Sequence, residues 1–117
     1  SGTGGTIEGV RRYVKSESLG VSVHMVVPDE ESHGIQGIGD GKDFLASPSK
    51  MNSVIRIKTQ EAIERAQRFA KETGILVGIS AGANILASER WVEVNDPLGI
   101  VVTMLCDRGE RYMTIYQ

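Results

Sequence analysis

A chain of 117 residues, 40% of them hydrophobic and 24% charged, has the length and composition of one globular domain. Its formal charge of −2, with acids and bases mixed along the sequence, argues against a nucleic-acid groove or an anionic membrane surface as partner. The single cysteine, Cys106, excludes an internal disulfide; with no apolar run of membrane-spanning length and no signal-like start, the expected home is a reducing cytoplasm.

The chain opens on Ser1-Gly2-Thr3-Gly4-Gly5-Thr6 and runs directly into Ile7, Val10, Tyr13 and Val14, which recur at helical spacing. A flexible loop thus empties into a helix N-terminus, where backbone N–H groups lack intrahelical partners and the macrodipole is positive. Glycines let that backbone approach a ligand and the threonines add hydroxyl donors, so the stretch can cradle an anion, most naturally a phosphate. A plain tight turn into a helix satisfies the same pattern. No lysine follows the glycines and the spacing is not G-x-G-x-x-G, which excludes a Walker loop and a dinucleotide fingerprint. No basic residue precedes Arg11, so the cradle relies on amides and hydroxyls, as suits a phosphate carried by a cofactor. A loop of this kind normally follows a strand, and the expectation is a fragment of a longer chain.

In chain order, a first helix is expected from Thr6 to about Ser18, stopped by Leu19-Gly20. The near-continuous apolar run at residues 21–27 reads as a buried parallel strand closed by Pro28. His24 within it reads as a packed or hydrogen-bonded histidine and a poor metal ligand; no metal site is expected. Asp29-Glu30-Glu31 reads as a solvated loop, and residues 33–41, with four glycines in nine, as a mobile lid or a linker. Irregular chain continues from Lys42 to Asn52, with Pro48 excluding a helix interior.

Residues 53–58 alternate as a short strand does, and Thr59 is the expected N-cap of a helix with Ala62, Ile63, Ala66, Phe69 and Ala70 on its apolar stripe and Gly74 at its end. The run Ile75-Leu76-Val77-Gly78-Ile79 leads to Ser80, expected to cap a further helix. Gly78, Ala81, Gly82 and Ala83 leave room beside it, either for a ligand or for close packing on a sheet. After a turn at Asp96-Pro97-Leu98-Gly99, residues 100–105 are β-branched, uncharged and the strongest strand candidate. They end at a polar turn, Cys106-Asp107-Arg108-Gly109-Glu110-Arg111-Tyr112, and the carboxyl end of a strand is where α/β sheets bind ligands. Interleaved strands and helices predict an α/β fold, a mostly parallel sheet with helices on both faces, forming a single domain over residues 1–117.

Four segments together, GTGGT (2–6), GIQGIG (34–39), VGISAGA (77–83) and DRGERY (107–112), resemble the cysteine synthase (O-acetylserine sulfhydrylase) family, with cystathionine β-synthase as a close relative. They occur in that family's order and correspond to the C-terminal portion of such a fold type II pyridoxal-phosphate enzyme. The resemblance implies that Gly2, Thr3, Gly4, Gly5 and Thr6 bind the phosphate of pyridoxal 5′-phosphate. It implies that Ser80 hydrogen-bonds the pyridine nitrogen and that the loop of Gly37, Ile38 and Gly39 lies by the substrate and moves on closure. A neutral hydroxyl does not hold that nitrogen protonated as a carboxylate would, which suits loss and replacement of a β-substituent better than transamination.

Cys106 stands where the family usually has proline, near the pyridine ring; a catalytic thiol there is the sharper alternative, with no base evident nearby in sequence. The Schiff-base lysine and the loop that grips the substrate carboxylate belong to the family's N-terminal half. None of Lys15, Lys42, Lys50, Lys58 or Lys71 has the motif around it, so no catalytic residue is assigned. The resemblance thus implies part of a transferase that makes L-cysteine from O-acetylserine and sulfide, inactive on its own and binding free cofactor weakly. The full enzyme would be a homodimer acting on an amino-acid substrate and able to bind an acyltransferase C-terminal tail. Alternatives are a cystathionine β-synthase or serine/threonine dehydratase (lyase) relative, and a non-catalytic lobe for dimerisation or partner binding.

Overall fold

A computed structural model describes residues 1–39 and 45–117. The first helix, α1, spans Gly5–Ser16 and leads to strand β1, His24–Pro28. A 3-10 turn at Pro48–Lys50 precedes strand β2, Ser53–Ile57, and helices α2, Thr59–Thr73, and α3, Ile79–Asn95, follow; a 3-10 segment at Gly109–Ile115 closes the described chain. The Asp40 and Gly41 end of the glycine-rich stretch, and Lys42, lie outside the described residues.

β1 and β2 pair in parallel, with Val26 opposite Ile55. Alternation sends successive side chains to opposite faces. Met25 and Val27 join Val23, Ala46 and Met51 under Ile7 and Val14 of α1. Val26 turns to the other face, where Ile35, Ile38, Ile57, Ala62, Ile79, Ala83 and Ala87 form the main core. Helices therefore cover both faces of a parallel sheet, as the interleaved pattern predicts.

α2 and α3 pack closely because Gly82 has no side chain: a Cβ there would lie 2.1 Å from the Ala62 carbonyl oxygen. Ion pairs flank this seam, Arg65 to Glu89 at 2.7 Å and Arg90 to Glu61 at 2.6 Å. Gly74, with φ of +75°, ends α2 in the left-handed conformation expected of a C-terminal glycine.

Several local expectations are corrected. Residues 100–105 form no strand, because no strand lies beside them to pair with among the described residues. The strand at 21–27 is confined to 24–28; Val23 still bonds Asn52 through both its backbone groups, but Val21 is exposed. Thr59 is the first residue of α2 and Lys58 its N-cap. Glu30, read as part of a solvated loop, accepts hydrogen bonds from the Thr59 amide at 2.9 and 3.1 Å and so caps α2 from a distance in sequence. Gly78, not Ser80, is the N-cap of α3. His24 is held as expected, its ring nitrogens 2.7 and 2.8 Å from the Ser53 and Ser22 hydroxyls and its ring 4.8 Å from that of Trp91 on α3.

Two measurements check this packing. Gly82→Ala is expected to lower unfolding stability by roughly 1–3 kcal/mol in urea titration, because the added methyl overpacks the α2–α3 seam; Gly99→Ala, with open space at its Cβ, stays within about 0.5 kcal/mol of the parent. On α1, Arg11 donates to Glu8 at 2.8 and 2.7 Å and Arg12 at 2.8 Å. Hydrogen bonds from Arg11 and then Arg12 hold the Glu8 carboxyl down at about 2, against an ordinary 4.5. A lowered carboxyl stabilises the fold above its ordinary value and loses that contribution as pH falls through its folded value. The stability advantage of the parent over Glu8→Gln is therefore full above about pH 5 and declines toward pH 2, read by thermal unfolding across that range.

Candidate functional site

The glycine loop is held by its own backbone. The Ser1 carbonyl accepts from Gly39 at 2.9 Å, the Thr3 carbonyl accepts from Leu45 at 2.7 Å, and the Ser1 nitrogen donates to the carbonyl of Val26 on β1. Two glycines are sterically required. Gly4 has φ of +90°, and a Cβ there would lie 2.7 Å from the Ala46 nitrogen; at Gly2 it would lie 2.6 Å from the Gly37 carbonyl oxygen. Gly4 is the N-cap of α1 and lends it no side chain, and the first amide of the helix to find a partner is that of Glu8, which donates to the Gly4 carbonyl. The N–H groups of Gly5, Thr6 and Ile7 have no acceptor among the described residues. Thr3, Gly5 and Thr6 are exposed, so this turn presents bare donors and hydroxyls to solvent.

The loop of Gly37, Ile38 and Gly39 lies directly against the glycine loop. Its parts differ: Gly37 is exposed, whereas the Ile38 side chain is buried in the main core. Ile38 anchors the loop and leaves the glycine backbone at the surface.

The Trp91 ring on α3 lies 4.8 Å from that of His24, the first residue of β1, tilted by 47°. Ser80 stands in the first turn of α3, next to Ile79, which joins Ile57 of β2 in the main core. It is 5% exposed. One turn further along, Asn84 Nδ2 lies 3.9 Å from Cys106 Sγ and donates to the Met104 carbonyl at 2.8 Å. Cys106 is exposed.

The mouth of α3 is further tied to the last motif. Val77 and Arg108 form an antiparallel bridge, and Gly78 N–H donates to the Asp107 carbonyl at 3.0 Å. Gly78 is required here too, because a Cβ would meet Asp107 Oδ1 at 1.9 Å. The Tyr112 hydroxyl donates to Asp107 Oδ2 at 2.6 Å, and that bond, with burial, raises the Tyr112 phenol above its usual range. Asp107 Oδ1 is buried without a partner. Cys106, Asp107, Arg108, Glu110 and Arg111 line an open depression of about 550 Å³. Sequence reading singled out Cys106 but not Asn84 or Asp107; a polar residue one helical turn after Ser80 was the available signal for Asn84.

The arrangement thus brings the glycine loop and the Gly37 to Gly39 backbone together, and ties Cys106 through Asn84 to the helix that carries Ser80. No protein-family model matches the chain. Among curated relatives, cysteine synthase 3 of Caenorhabditis elegans is 35% identical over 124 residues, covering 97% of this chain and 37% of that protein. A Staphylococcus aureus cysteine synthase is 35% identical over 127 residues, covering 97% of this chain and 40% of its own length. The crystal structure of cysteine synthase from Entamoeba histolytica superposes with a TM-score of 0.88 and 34% identity, over 99% of this chain and 38% of that one. The chain spans about two fifths of the length of these relatives. In sequence and in fold, over nearly all of its residues, it is a relative of the cysteine synthase (O-acetylserine sulfhydrylase) family.

Proposed function

We propose that this chain is the cofactor-binding C-terminal part of an enzyme that makes L-cysteine from O-acetylserine and sulfide with pyridoxal 5′-phosphate. The observation that carries the reading is the bare amide turn at Gly5, Thr6 and Ile7, which ends a loop that only glycine fits at positions 2 and 4. Such a turn suits a phosphate: it offers several donors and the positive end of a helix to one anion.

The residues present fit the cofactor at both ends. Gly2, Thr3, Gly4, Gly5 and Thr6 would hold its phosphate, and the hydroxyl of Ser80, a residue 5% exposed, would meet its pyridine nitrogen. Cys106 would lie near the ring. Bound there, pyridoxal phosphate supplies the electron sink for replacing a β-substituent on an amino acid. Ser80 stays neutral and so leaves the pyridine nitrogen without a full positive charge. The backbone of Gly37 and Gly39 would border the amino-acid substrate, with Ile38 as the pivot that stays in the core.

Lys15, Lys50, Lys58 and Lys71 are all exposed, which supports reading none of them as an imine-forming lysine. That lysine belongs to the portion of the family's length that this chain does not span. Residues 1–117 then act as one unit of a larger enzyme, a homodimer of the cytoplasm able to receive an acyltransferase tail. No helix among the described residues is long and apolar enough to cross a membrane.

Equilibrium dialysis tests the phosphate claim. Pyridoxal phosphate is expected to be retained at least about tenfold better than pyridoxal, the equivalent of one charge-assisted hydrogen bond. Gly4→Ala, checked for unchanged helicity by circular dichroism, should erase that preference, and the chain alone should form no cysteine from O-acetylserine and sulfide. Equal retention of the two compounds contradicts the reading.

A further inference from the structure

Arg65 of α2 is the one buried arginine among the described residues, 7% exposed. A guanidinium taken out of water is costly unless both charge and hydrogen bonds replace the solvent. Glu89 of α3 does most of this. Arg65 Nε donates to its carboxylate at 2.9 and 3.1 Å and Nη2 at 2.7 Å, a two-pronged pair. Those bonds hold the Glu89 carboxyl below its usual range, so it carries its charge at neutral pH. Glu72 adds one contact to Nη2 at 3.2 Å, and the Phe69 ring centre lies 5.8 Å from the guanidinium carbon. Nη1 is buried with no partner among the described residues. Arg65 therefore has no acceptor in reserve.

The dependence is one-sided. The Glu89 side chain is 47% exposed, and Arg68 Nη2 stands 4.0 Å from it. Glu72 is similarly half-exposed, with Arg68 Nε at 3.8 Å. Without Arg65, both acids would keep water and Arg68. Without Glu89, Arg65 would have neither water nor a two-pronged acceptor. To reach solvent it would have to part α3 from α2. The next residue, Ala66, backs that seam: its Cβ lies 3.0 Å from where a Cβ would stand at Gly82. Gly82 is two residues from Ser80, in the buried first turn of α3.

We propose that Glu89 is a positioning residue for the mouth of α3: by neutralising the buried Arg65 it keeps the α2–α3 seam shut and holds Ser80 at its depth. The other pair on the seam, Arg90 with Glu61, has no such role, because both of its side chains are at least a third exposed. A cofactor contact for Ser80 rests on the function proposed above; the latch on α3 does not.

Urea unfolding and backbone amide resonances of the parent and four variants test it. Glu89→Gln is expected to lower the folding equilibrium constant at least about tenfold, the equivalent of about 1.4 kcal/mol, and to shift the amides of Ser80 to Ala83 while those of Gly5 and Thr6 stay in place. Arg65→Met, although it removes the more buried side chain, is expected to stay within about threefold of the parent. Adding Glu89→Gln to Arg65→Met should then change little, and Arg90→Gln should leave the Ser80 resonance unmoved. A Glu89→Gln chain too unstable to measure supports the proposal only if Arg65→Met restores its folding, and opposes it otherwise. A loss from Arg65→Met as large as that from Glu89→Gln overturns the proposal, as does a Glu89→Gln chain that is destabilised with its Ser80 amide in place. If Ser80 moves in Glu89→Gln and pyridoxal phosphate is still retained as well as by the parent, the latch stands and the cofactor contact of Ser80 fails.

Discussion

The Ala62 carbonyl and the Gly82 α-carbon are in such close approach that no side chain fits between them. That contact fixes the depth of α3 in the fold. With α3 seated this deep, Ile79, Ala83 and Ala87 fill the core against Ile57 and Ala62, and residues 79–83, the first turn of the helix, are all buried. Its mouth is then held at the end of the sheet by the bridge from Val77 to Arg108 and by Asp107 against Gly78. The burial of Ser80, 5% exposed, is the consequence. Shallower packing would expose it to water.

The glycine loop at the start of α1 follows a different logic. The glycine loop satisfies its carbonyls, through Gly39 and Leu45, and leaves its amides over. A loop with this imbalance has an unmet need for acceptors, and the helix behind it adds a partial positive charge. Glu8, the acid nearest that end, is occupied by Arg11 and Arg12 and leaves the donors unclaimed. The cradle is thus neutral in side chains and cationic only through its backbone. That favours an anion delivered on a larger molecule whose other contacts share in the binding.

Much of this was legible in the sequence, where local pattern and tertiary context agree. The helical spacing of Ala62, Ile63, Ala66 and Phe69, the stop at Gly74 and the glycine loop entering α1 each depend on neighbours in the chain. What was not legible depends on distant partners. Glu30 caps α2 across 29 residues, displacing the cap expected of Thr59. Val10 and Tyr13 share the apolar stripe of Ile7 and Val14 but are exposed, because only the latter two meet the second core. Residues 100–105 have the composition of a strand; composition cannot say whether a partner stands beside them. Ile38 sat inside a glycine-rich stretch that read as lid or linker, yet three-dimensional packing makes it a core anchor.

The central claim is that one flat phosphorylated ring touches the bare amide turn and the Ser80 hydroxyl at once. The most direct measurement is a titration of isotope-labelled chain with pyridoxal phosphate, following backbone amide resonances. The account predicts that Gly5, Thr6, Ile7 and Ser80 shift together along a single binding curve, whereas inorganic phosphate moves only the first three. Separate curves for the two groups, or a Ser80 resonance that does not move, would contradict it.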